Sequence, residues 1–371
     1  MNILYITFVD IKDEESIGVE KKIRGQIKGI KENGNDVMYT FCENNIFNMI
    51  DNLGNKKEIC KFKGRLDKRL RMYNKKIIDI IREYNIDIIY MRYALSDMLF
   101  ILFLKKIKKL KVKIYLEIPT YPYDKDISKK KMIIDKIFRQ FMCKYVDKVI
   151  ISSSKVDKVF NIESIFIDNC VDVDNIKYKE HKYFTGKESI ELLAVSFFRY
   201  SNGYDRLIMG LSEYYNKNNS NKIIKLRFIG KGEEEVNLKN MVDEYNLNNY
   251  VYFEGVKTGE ELDAYFECAD IAIGALGDHR VGIKCKAPLK SREYCARGIP
   301  FISSIKDPGF KGNEDFILTF TSNDSPIDIY KIIKFYESLI CKENISKTMR
   351  DYAYENFDWK IKYKNLFEIK N

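Results

Sequence analysis

The chain has 371 residues, of which 45% are hydrophobic, and its formal net charge is +10. A chain of this length exceeds the size at which one hydrophobic core stops growing, so we expect two domains. The eight cysteines contain no Cys-x-x-Cys pair and only two histidines are present, which excludes a disulfide framework and a zinc site. No apolar run is long enough for a signal peptide or a membrane span, so we expect a cytoplasmic protein.

The positive charge is concentrated in the first half of the chain, most densely at Lys61–Lys76 and Leu104–Lys113. Two explanations of these basic stretches remain open. They are solvated helix faces, or they attract anionic lipid at the inner membrane face or a phosphate-bearing acceptor. Nucleic-acid binding is not expected, because the basic residues are not interleaved with aromatic residues in a recognisable reading motif.

Apolar strands alternate with amphipathic helices along the first half of the chain. The predicted strands are Ile3–Phe8, Val37–Phe41, Ile86–Met91, Val112–Ile118 and Val149–Ser152, and the predicted helices lie near Glu20–Glu32, Asp67–Tyr84, Asp97–Leu110 and Lys129–Tyr145. This alternation predicts a parallel sheet with helices on both faces.

The second half repeats the pattern, with predicted strands at Leu192–Ser196, Ile224–Ile229, Tyr250–Glu254, Ile271–Ala275 and Phe301–Ser303. The polar segment Asn169–Glu188 shows little periodicity and predicts the junction. We therefore predict an α/β fold in which two doubly wound, Rossmann-like domains face each other across a cleft. The predicted domains are residues 1–172 and 173–357, and a C-terminal helix within 358–371 is expected to pack back on the first domain.

A glycine-punctuated basic loop and a short helix follow the strand at Ile271–Ala275. Pro288 is expected to begin this helix and Gly298 to end it. The first helical amides and Lys290 can bind a phosphate, and Glu293, on the same helix face, can accept hydrogen bonds from sugar hydroxyls. The pattern indicates a nucleotide-diphosphate sugar as ligand. A surface ion pair between Glu293 and Arg297 is the alternative.

Four parts of the sequence carry a family resemblance through their order and spacing. They are MNILYIT with GVEKKI (Gly18–Ile23), FIDNCVDVD (Phe166–Asp174), VSFFRYSNGYDRLIMGL with FIGKGEE (Val195–Leu211 and Phe228–Glu234), and KAPLKSREYCARGIPFI (Lys286–Ile302). Together they resemble the retaining glycosyltransferases of the GT-B fold, of the family 4 or glycosyl transferases group 1 type. The resemblance implies a first domain that binds the acceptor and a second that binds the nucleotide-sugar donor.

The resemblance also implies roles for individual residues. Glu293 matches the second signature glutamate, which binds the ribose, whereas Cys285 stands where the first signature glutamate contacts the donor sugar. The phosphate-binding arginine and lysine of the family correspond to Phe197 and Asn202, neither of them basic. The residues expected to serve catalysis are Glu293, Lys290 and Arg280, and the further donor contacts are expected at Gly18, Arg199, Arg206, Gly230, Lys231, His279, Cys285, Pro288 and Leu289.

Two of these assignments have open alternatives. Arg206 could instead form a salt bridge on its helix face. His279 could be a solvent-exposed bystander.

The loop LEIPTYPYDKD at Leu116–Asp126 follows a predicted strand directly. This position places Glu117, Thr120, Tyr121 and Tyr123 at the expected cleft, with Arg92 and Tyr93 as further candidates at the end of the preceding strand. Many relatives carry a histidine in this region and this chain has none, so sugar contacts would fall to Thr120, the tyrosines or backbone carbonyls. The alternative is a rigid turn that merely shapes the loop.

No metal site and no cofactor are predicted. Asp172–Asp174 and Asp124–Asp126 spell a DxD motif, but one lies in the domain junction and the other in a polar loop. Helix amides and Lys290 would instead stabilise the leaving diphosphate. The predicted enzyme is a metal-independent, retaining, hexosyltransferase-type enzyme of the EC 2.4 class. It uses a nucleotide-diphosphate sugar, with a UDP-sugar favoured, and a glycan, lipid-linked or protein-linked acceptor in surface polysaccharide biosynthesis.

Two other functions remain open. A nucleotide-sugar epimerase of the same architecture would need titratable groups that this histidine-poor chain scarcely supplies. A catalytically inactive GT-B partner subunit is favoured by Cys285, Phe197 and Asn202. A dinucleotide-dependent dehydrogenase is excluded, because the loop Val9–Val19 contains one glycine instead of the G-x-G-x-x-G fingerprint.

Overall fold

The computed structural model describes residues 1–12, 17–64, 67, 75–119, 121–123, 127–152, 155–217 and 222–367. The chain divides into two compact units. Unit 1 comprises Met1–Asp172 together with Asp358–Asn371, and unit 2 comprises Val173–Phe357. Each unit is built on a sheet of mainly parallel strands flanked by helices, so the predicted pair of Rossmann-like domains is confirmed.

Unit 1 contains a nine-stranded sheet in the order β4-β3-β2-β1-β5-β6-β7-β9-β8. Its strands are β1 (Asn2–Ile6), β2 (Asp36–Glu43), β3 (Ile46–Ile50), β4 (Lys56–Lys61), β5 (Ile88–Arg92), β6 (Lys113–Ile118), β7 (Lys148–Ile151), β8 (Lys158–Val159) and β9 (Ile162–Phe166), and its first helices are α1 (Ile17–Glu32), α2 (Lys75–Glu83), α3 (Met98–Lys108) and α4 (Lys129–Arg139). The strand order reverses between β1 and β5, where side chains of β1 such as Ile3 and Leu4 are fully buried.

Both edges of this sheet differ from the predicted parallel arrangement. Strands β3 and β4 were not predicted; β3 pairs antiparallel with β2, and β4 pairs antiparallel with β3. Strand β8 pairs antiparallel with β9. The sequence of β4, KKEICK, is mostly charged, which is typical of an edge strand. Such a strand is defined by its pairing with a neighbour and not by its own apolar pattern.

Unit 2 contains a six-stranded parallel sheet in the order β12-β11-β10-β13-β14-β15. Its strands are β10 (Ser189–Val195), β11 (Ile223–Ile229), β12 (Val251–Gly255), β13 (Ile271–Ile273), β14 (Phe301–Ser303) and β15 (Ile317–Thr319), and its helices are α5 (Tyr204–Asn216), α6 (Glu235–Glu244), α7 (Gly259–Cys268), α8 (Leu289–Arg297), α9 (Ile329–Ile340) and α10 (Ile345–Phe357). The strand order reverses between β10 and β13. Ligands of such sheets bind outside the carboxyl ends of the strands at this switch point.

The boundaries of α8 follow from local signals. Pro288 is its N-cap, and Gly298, with φ +76°, is its left-handed C-cap. A Cβ atom at position 298 would lie 2.9 Å from Ser346 Cβ on α10, so this C-cap requires glycine for its space as well as its conformation. The predicted start and end of this helix are confirmed within one residue.

The C-terminal helix α11 (Trp359–Tyr363) belongs to unit 1 and packs on α1. Gly25 and Gly29 of α1 allow the contact, because a Cβ atom at either position would lie within 2.7 Å of Trp359. The Tyr363 hydroxyl hydrogen-bonds the Tyr90 hydroxyl of β5 at 3.0 Å.

None of the described helices combines the length and apolar content needed to cross a bilayer.

Candidate functional site

The loops at the switch point of unit 2 pack backbone against backbone. Gly203, after β10, contacts Gly277, after β13: a Cβ atom at position 203 would lie 2.6 Å from the Gly277 nitrogen. Gly230, after β11, has φ +134°, and a Cβ atom there would lie 1.8 Å from the Ser196 carbonyl oxygen. These glycines let the loops approach closely and hold them at the carboxyl ends of β10, β11 and β13. Gly230, a predicted donor contact, is thereby given a structural role.

The N-terminus of α8 lies among these loops. Its N-cap residue, Pro288, makes no side-chain capping hydrogen bond. The partial positive charge of the first helical amides is therefore not offset by a capping side chain and can serve an anion. Leu289 and Lys290 form the first turn.

Lys290 is anchored to the end of β10. Its ammonium group donates a hydrogen bond to the Tyr204 hydroxyl at 3.3 Å, and that hydroxyl hydrogen-bonds Ser196 Oγ at 2.9 Å. Ser196 directly follows β10. The cationic group is thus held at the switch point, next to the N-terminus of its own helix.

Four charged neighbours act on Lys290. Burial lowers the pKa of Lys290 to about 7, and the cationic Lys286 and Arg199 contribute in the same direction, while Asp278 and Glu293 oppose the shift. Near neutral pH the ammonium group is therefore partly deprotonated. An arriving anion would favour its protonated form.

Glu293 lies one turn further along α8. It forms the ion pair with Arg297 that is the alternative to binding sugar hydroxyls. Its Oε1 atom accepts bonds from Arg297 Nε at 3.1 Å and Nη2 at 3.0 Å. Arg297 also donates to Asp263 at 2.7 Å. Since the Glu293 side chain remains 30% exposed, the ion pair orients the carboxylate without closing it to a ligand.

A cavity of about 490 Å³ lies between α8 and the loops that follow β13 and β14. This volume is within the range of small-molecule sites. Its lining includes four lysines and five hydroxyl side chains against two carboxylates: Lys284, Lys290, Lys306, Lys311, Ser291, Ser303, Ser304, Thr319 and Ser322, with Asp307 and Glu314. The cavity is therefore suited to a polar anionic ligand.

The predicted contact between Arg206 and a diphosphate is wrong. Arg206 is 2% exposed, and its guanidinium group donates to the carbonyl oxygens of Ser325 at 2.8 Å and Thr321 at 3.0 Å, and to that of Leu276. Its alternative, a helix-face salt bridge, is absent from the described ion pairs of the chain. Arg206 is therefore a buried structural residue that links the loops after β13 and β15 of unit 2.

Arg280 and His279 belong to a charge cluster around Asp324. The guanidinium group of Arg280 donates to both Asp205 oxygens at 2.8 and 2.7 Å and to Asp324 at 2.6 Å, and it lies 4.5 Å from the centre of the Tyr200 ring. His279 Nε2 lies 3.1 Å from the same Asp324 oxygen. Because two carboxylates already pair with Arg280, we assign it a structural role in linking loops of unit 2 in place of the predicted catalytic contact.

The remaining predicted donor contacts lie in loops of unit 2, except Gly18. Arg199 is exposed, with its guanidinium group 5.2 Å from the centre of the Phe197 ring. Asn202, at the position of the family lysine, accepts a hydrogen bond from the Arg199 amide at 2.7 Å. Cys285 is exposed and pairs with Lys306 in an isolated β-bridge. Lys231 is exposed after β11, while Gly18 lies in α1 of unit 1.

In unit 1, Glu117 is a core residue and not the predicted contact at the cleft. It is 3% exposed, lies 3.0 Å from Lys22 and 3.5 Å from Arg92, and accepts a bond from Gln26 at 3.2 Å. Burial by itself would raise the pKa of Glu117, but Lys22 and Arg92 lower it to about 2. The cluster joins α1 to the ends of β5 and β6.

Two of the three tyrosines predicted at the cleft are buried and bonded within unit 1. The buried Tyr93 and Tyr123 both donate their hydroxyls to Asp135, Tyr123 at 2.6 Å. Tyr121 is half-buried. Thr120 and residues 124–126, which include the second DxD spelling, lie outside the described residues.

The first DxD spelling is split between the two units. Asp172 pairs with Lys28 at 2.6 Å, and Asp174 accepts a bond from the Tyr354 hydroxyl at 3.0 Å. Among the described residues, no group of three or more histidine, cysteine, aspartate or glutamate side chains has an arrangement suited to a metal ion.

Three residues near Lys290 were not predicted for the site. Tyr204 and Ser196 gave no local signal, because their contact with Lys290 joins segments far apart in sequence. Asp278 is 3% exposed and lies 3.4 Å from Lys286, and its Oδ2 atom has no hydrogen-bond partner within the described part of the chain. A lone aspartate between a strand and a basic loop is too common a pattern to single out.

Comparisons with known proteins concern the family and the fold of the chain. Residues 176–312 match the family model of the glycosyl transferases group 1. No curated protein sequence matches the chain. The structure is similar to sucrose-phosphate synthase from Thermosynechococcus elongatus (TM-score 0.63, 14% identity, covering 99% of this chain and 97% of that chain).

Two further similar structures are the pneumococcal O-GlcNAc transferase GtfA (TM-score 0.58, 9% identity, covering 98% and 97%) and WaaG, a glycosyltransferase involved in lipopolysaccharide biosynthesis (TM-score 0.57, 10% identity, covering 98% and 99%). At these identities the similarity shows the fold. The chain therefore has the fold of the GT-B glycosyltransferases, and its residues 176–312 match the model of the glycosyl transferases group 1 family.

Proposed function

We propose that the chain is a retaining, hexosyltransferase-type glycosyltransferase. It would transfer a sugar from a nucleotide-diphosphate sugar bound by unit 2 to a hydroxyl of a glycan or glycoconjugate acceptor bound by unit 1. The observation that carries this proposal is the N-terminus of α8, where helical amides without a capping side chain and Lys290 lie beside the switch point, with Glu293 one turn further along the helix. A UDP-sugar is the first donor to test, because GtfA was solved in complex with UDP and GlcNAc.

The chemistry of transfer explains why this helix terminus matters. As the bond to the sugar breaks, negative charge grows on the leaving diphosphate while the sugar carbon becomes cation-like. The amides of α8 and the ammonium group of Lys290 are positioned to stabilise that charge. In the proposed mechanism they replace a metal ion, and Glu293 accepts hydrogen bonds from the ribose hydroxyls.

The acceptor is proposed by analogy. WaaG is involved in lipopolysaccharide biosynthesis, and surface polysaccharide synthesis is the setting we infer for this chain.

A thermal-shift screen against UDP, GDP, ADP and dTDP and their sugars tests donor binding. A nucleotide at about 100 times its Kd adds about 2.7 kcal/mol of stability to the folded protein, which corresponds to a rise in Tm of roughly 5–10 °C for a domain of this size. We expect the UDP compounds to give this shift. A screen in which no nucleotide raises Tm would contradict the proposal.

The affinity for UDP should depend on pH through Lys290. Because the pKa of Lys290 is lowered to about 7, the free site loses its positive charge as pH rises, whereas the bound diphosphate favours the protonated form. We expect calorimetry to show binding that weakens by about tenfold between pH 6.5 and pH 8.

Lys290→Arg is the matched control for this pH profile. A guanidinium group stays charged over the whole range, so the variant keeps only the pH dependence that belongs to UDP itself. Equal pH profiles for the two proteins would show that Lys290 does not carry the charge that binds the diphosphate.

A further inference from the structure

The cavity between α8 and the loops after β13 and β14 has more cationic groups than its carboxylates balance. Four lysines and two carboxylates line it, and the fully buried Arg292 pairs with one of these carboxylates, Asp307. Five cationic groups therefore stand against two carboxylates, which leaves an excess of three. The diphosphate of a nucleotide sugar brings one negative charge per phosphate, so it does not balance this excess by itself.

The two carboxylates of the cavity already have partners other than the lysine side chains. Asp307 accepts a hydrogen bond from Ser291 Oγ at 2.7 Å in addition to its ion pair with Arg292. Glu314 accepts a bond from the Gly312 amide at 2.8 Å. The carboxylates are thus held by groups of the loops and of α8.

Three of the lysines have no carboxylate partner of their own. Lys284, Lys306 and Lys311 are exposed, and within the ranges that the structure describes none of them forms an ion pair. Lys286 differs, because its ammonium group lies 3.4 Å from the buried Asp278. The lysines that line the cavity beyond Lys290 are therefore available to an anionic ligand.

The backbone brings two of these lysines to the same side of the cavity. Cys285 pairs with Lys306 in an isolated β-bridge, and the Lys286 amide donates to the Lys306 carbonyl oxygen at 3.1 Å. Lys284 directly precedes the bridge. Cys285 also stands where the family resemblance implies a glutamate that contacts the donor sugar. A glutamate there would repel a carboxylate on the sugar, and this chain has none at that place.

The proposed position of the nucleoside leaves the cavity to the transferred sugar. Pro288 and Lys290, at the start of α8, line the cavity, whereas Glu293 does not. With the diphosphate at the first turn of α8 and the ribose at Glu293, the sugar at the other end of the diphosphate extends towards Lys284 and Lys306.

We propose that the donor is a nucleotide-diphosphate hexuronic acid, whose carboxylate is bound by Lys284 and Lys306 with Lys311 nearby. Bonds between ammonium groups and a carboxylate are charge-assisted, and they select an acidic sugar over its neutral counterpart. The carboxylate stays on the sugar and takes no part in the bond changes of transfer. This inference rests on the proposed function and names the class of sugar for the same site.

Calorimetry of the full chain with UDP, UDP-glucose and UDP-glucuronic acid tests the inference. The two sugars differ only in a primary alcohol that is replaced by a carboxylate, so the ratio of their Kd values isolates that group. We expect UDP-glucuronic acid to bind at least about tenfold more tightly than UDP-glucose, with a smaller preference at high salt. The galactose and galacturonic acid pair is measured alongside, so that the configuration of one hydroxyl does not decide the result.

Lys284→Gln/Lys306→Gln removes the charge at exposed positions and should leave Tm unchanged. Its preference for the uronic acid should fall to about twofold or less, while its affinity for UDP alone changes by less than about threefold. Lys334→Gln, at an exposed lysine of α9 that does not line the cavity, is the matched control and should keep the full preference.

The outcomes separate this inference from the proposed function. A wild-type chain that binds UDP but prefers neither uronic acid overturns the inference and leaves the proposed transfer intact. A double variant that keeps the preference of Lys334→Gln also overturns it. If UDP itself does not bind, the proposed UDP-sugar donor fails and this inference fails with it.

Discussion

Lys290→Ala is expected to lower kcat for sugar transfer by about 10²-fold or more, because removing one preorganised group that stabilises the transition-state charge costs about 10²–10³ in kcat. The ammonium group of Lys290 is held beside the N-terminus of α8 by Tyr204, so its charge is already in place before the diphosphate begins to leave. Steady-state release of UDP from a UDP-sugar in the presence of acceptor measures this effect.

Glu293→Ala should act differently on the same assay. Its proposed bonds to the ribose exist both before and during the reaction, so its loss should chiefly raise KM. Lys239→Ala, at a half-exposed lysine of α6 that pairs with Glu235, is the control and should leave both constants unchanged.

Full turnover by Lys290→Ala would remove the α8 terminus from the mechanism. A wild-type protein that binds UDP in the thermal-shift screen but transfers no sugar would instead identify an inactive partner subunit. A donor sugar that is interconverted without an acceptor would identify an epimerase.

Glu117→Ala is expected to destabilise the protein by about 3–5 kcal/mol, because removing one member of a buried ion cluster leaves the others uncompensated. Lys22, at 7% side-chain exposure, and Arg92, at 14%, would be left without their carboxylate. Urea denaturation followed by far-UV circular dichroism measures the loss. Glu58→Ala removes a 49% exposed carboxylate from the same unit and should change stability by less than about 0.5 kcal/mol.

The same cluster predicts how stability depends on acid. The pKa of Glu117 is lowered to about 2 in the folded protein, against about 4.3 for an unfolded chain. Its contribution is therefore complete above about pH 4.3 and is lost as pH falls towards 2. The Glu117→Ala variant should lack this part of the acid transition, and a stability within 1 kcal/mol of the wild type would show that the cluster adds little.

Helix α8 shows what local sequence can predict. Pro288 and Gly298 have backbone preferences that act within one turn, so the helix bounds and the position of Lys290 in its first turn could be read directly from the residues. Buried parallel strands such as β1 and β10 are equally visible, because both faces are apolar.

The sequence by itself determined the alternation of strands and helices, the bounds of α8 and the place of Lys290 in its first turn, because these depend on neighbours within a few positions. Only the tertiary structure decided the partners of the charged groups. The sequence predicts ligand contacts for Arg206 and Arg280 and a place at the cleft for Glu117, yet their partners include Thr321, Asp205 and Lys22, which are distant in sequence. A charged side chain pairs with whichever group the fold brings within a few ångströms, and the local sequence does not show which group that will be.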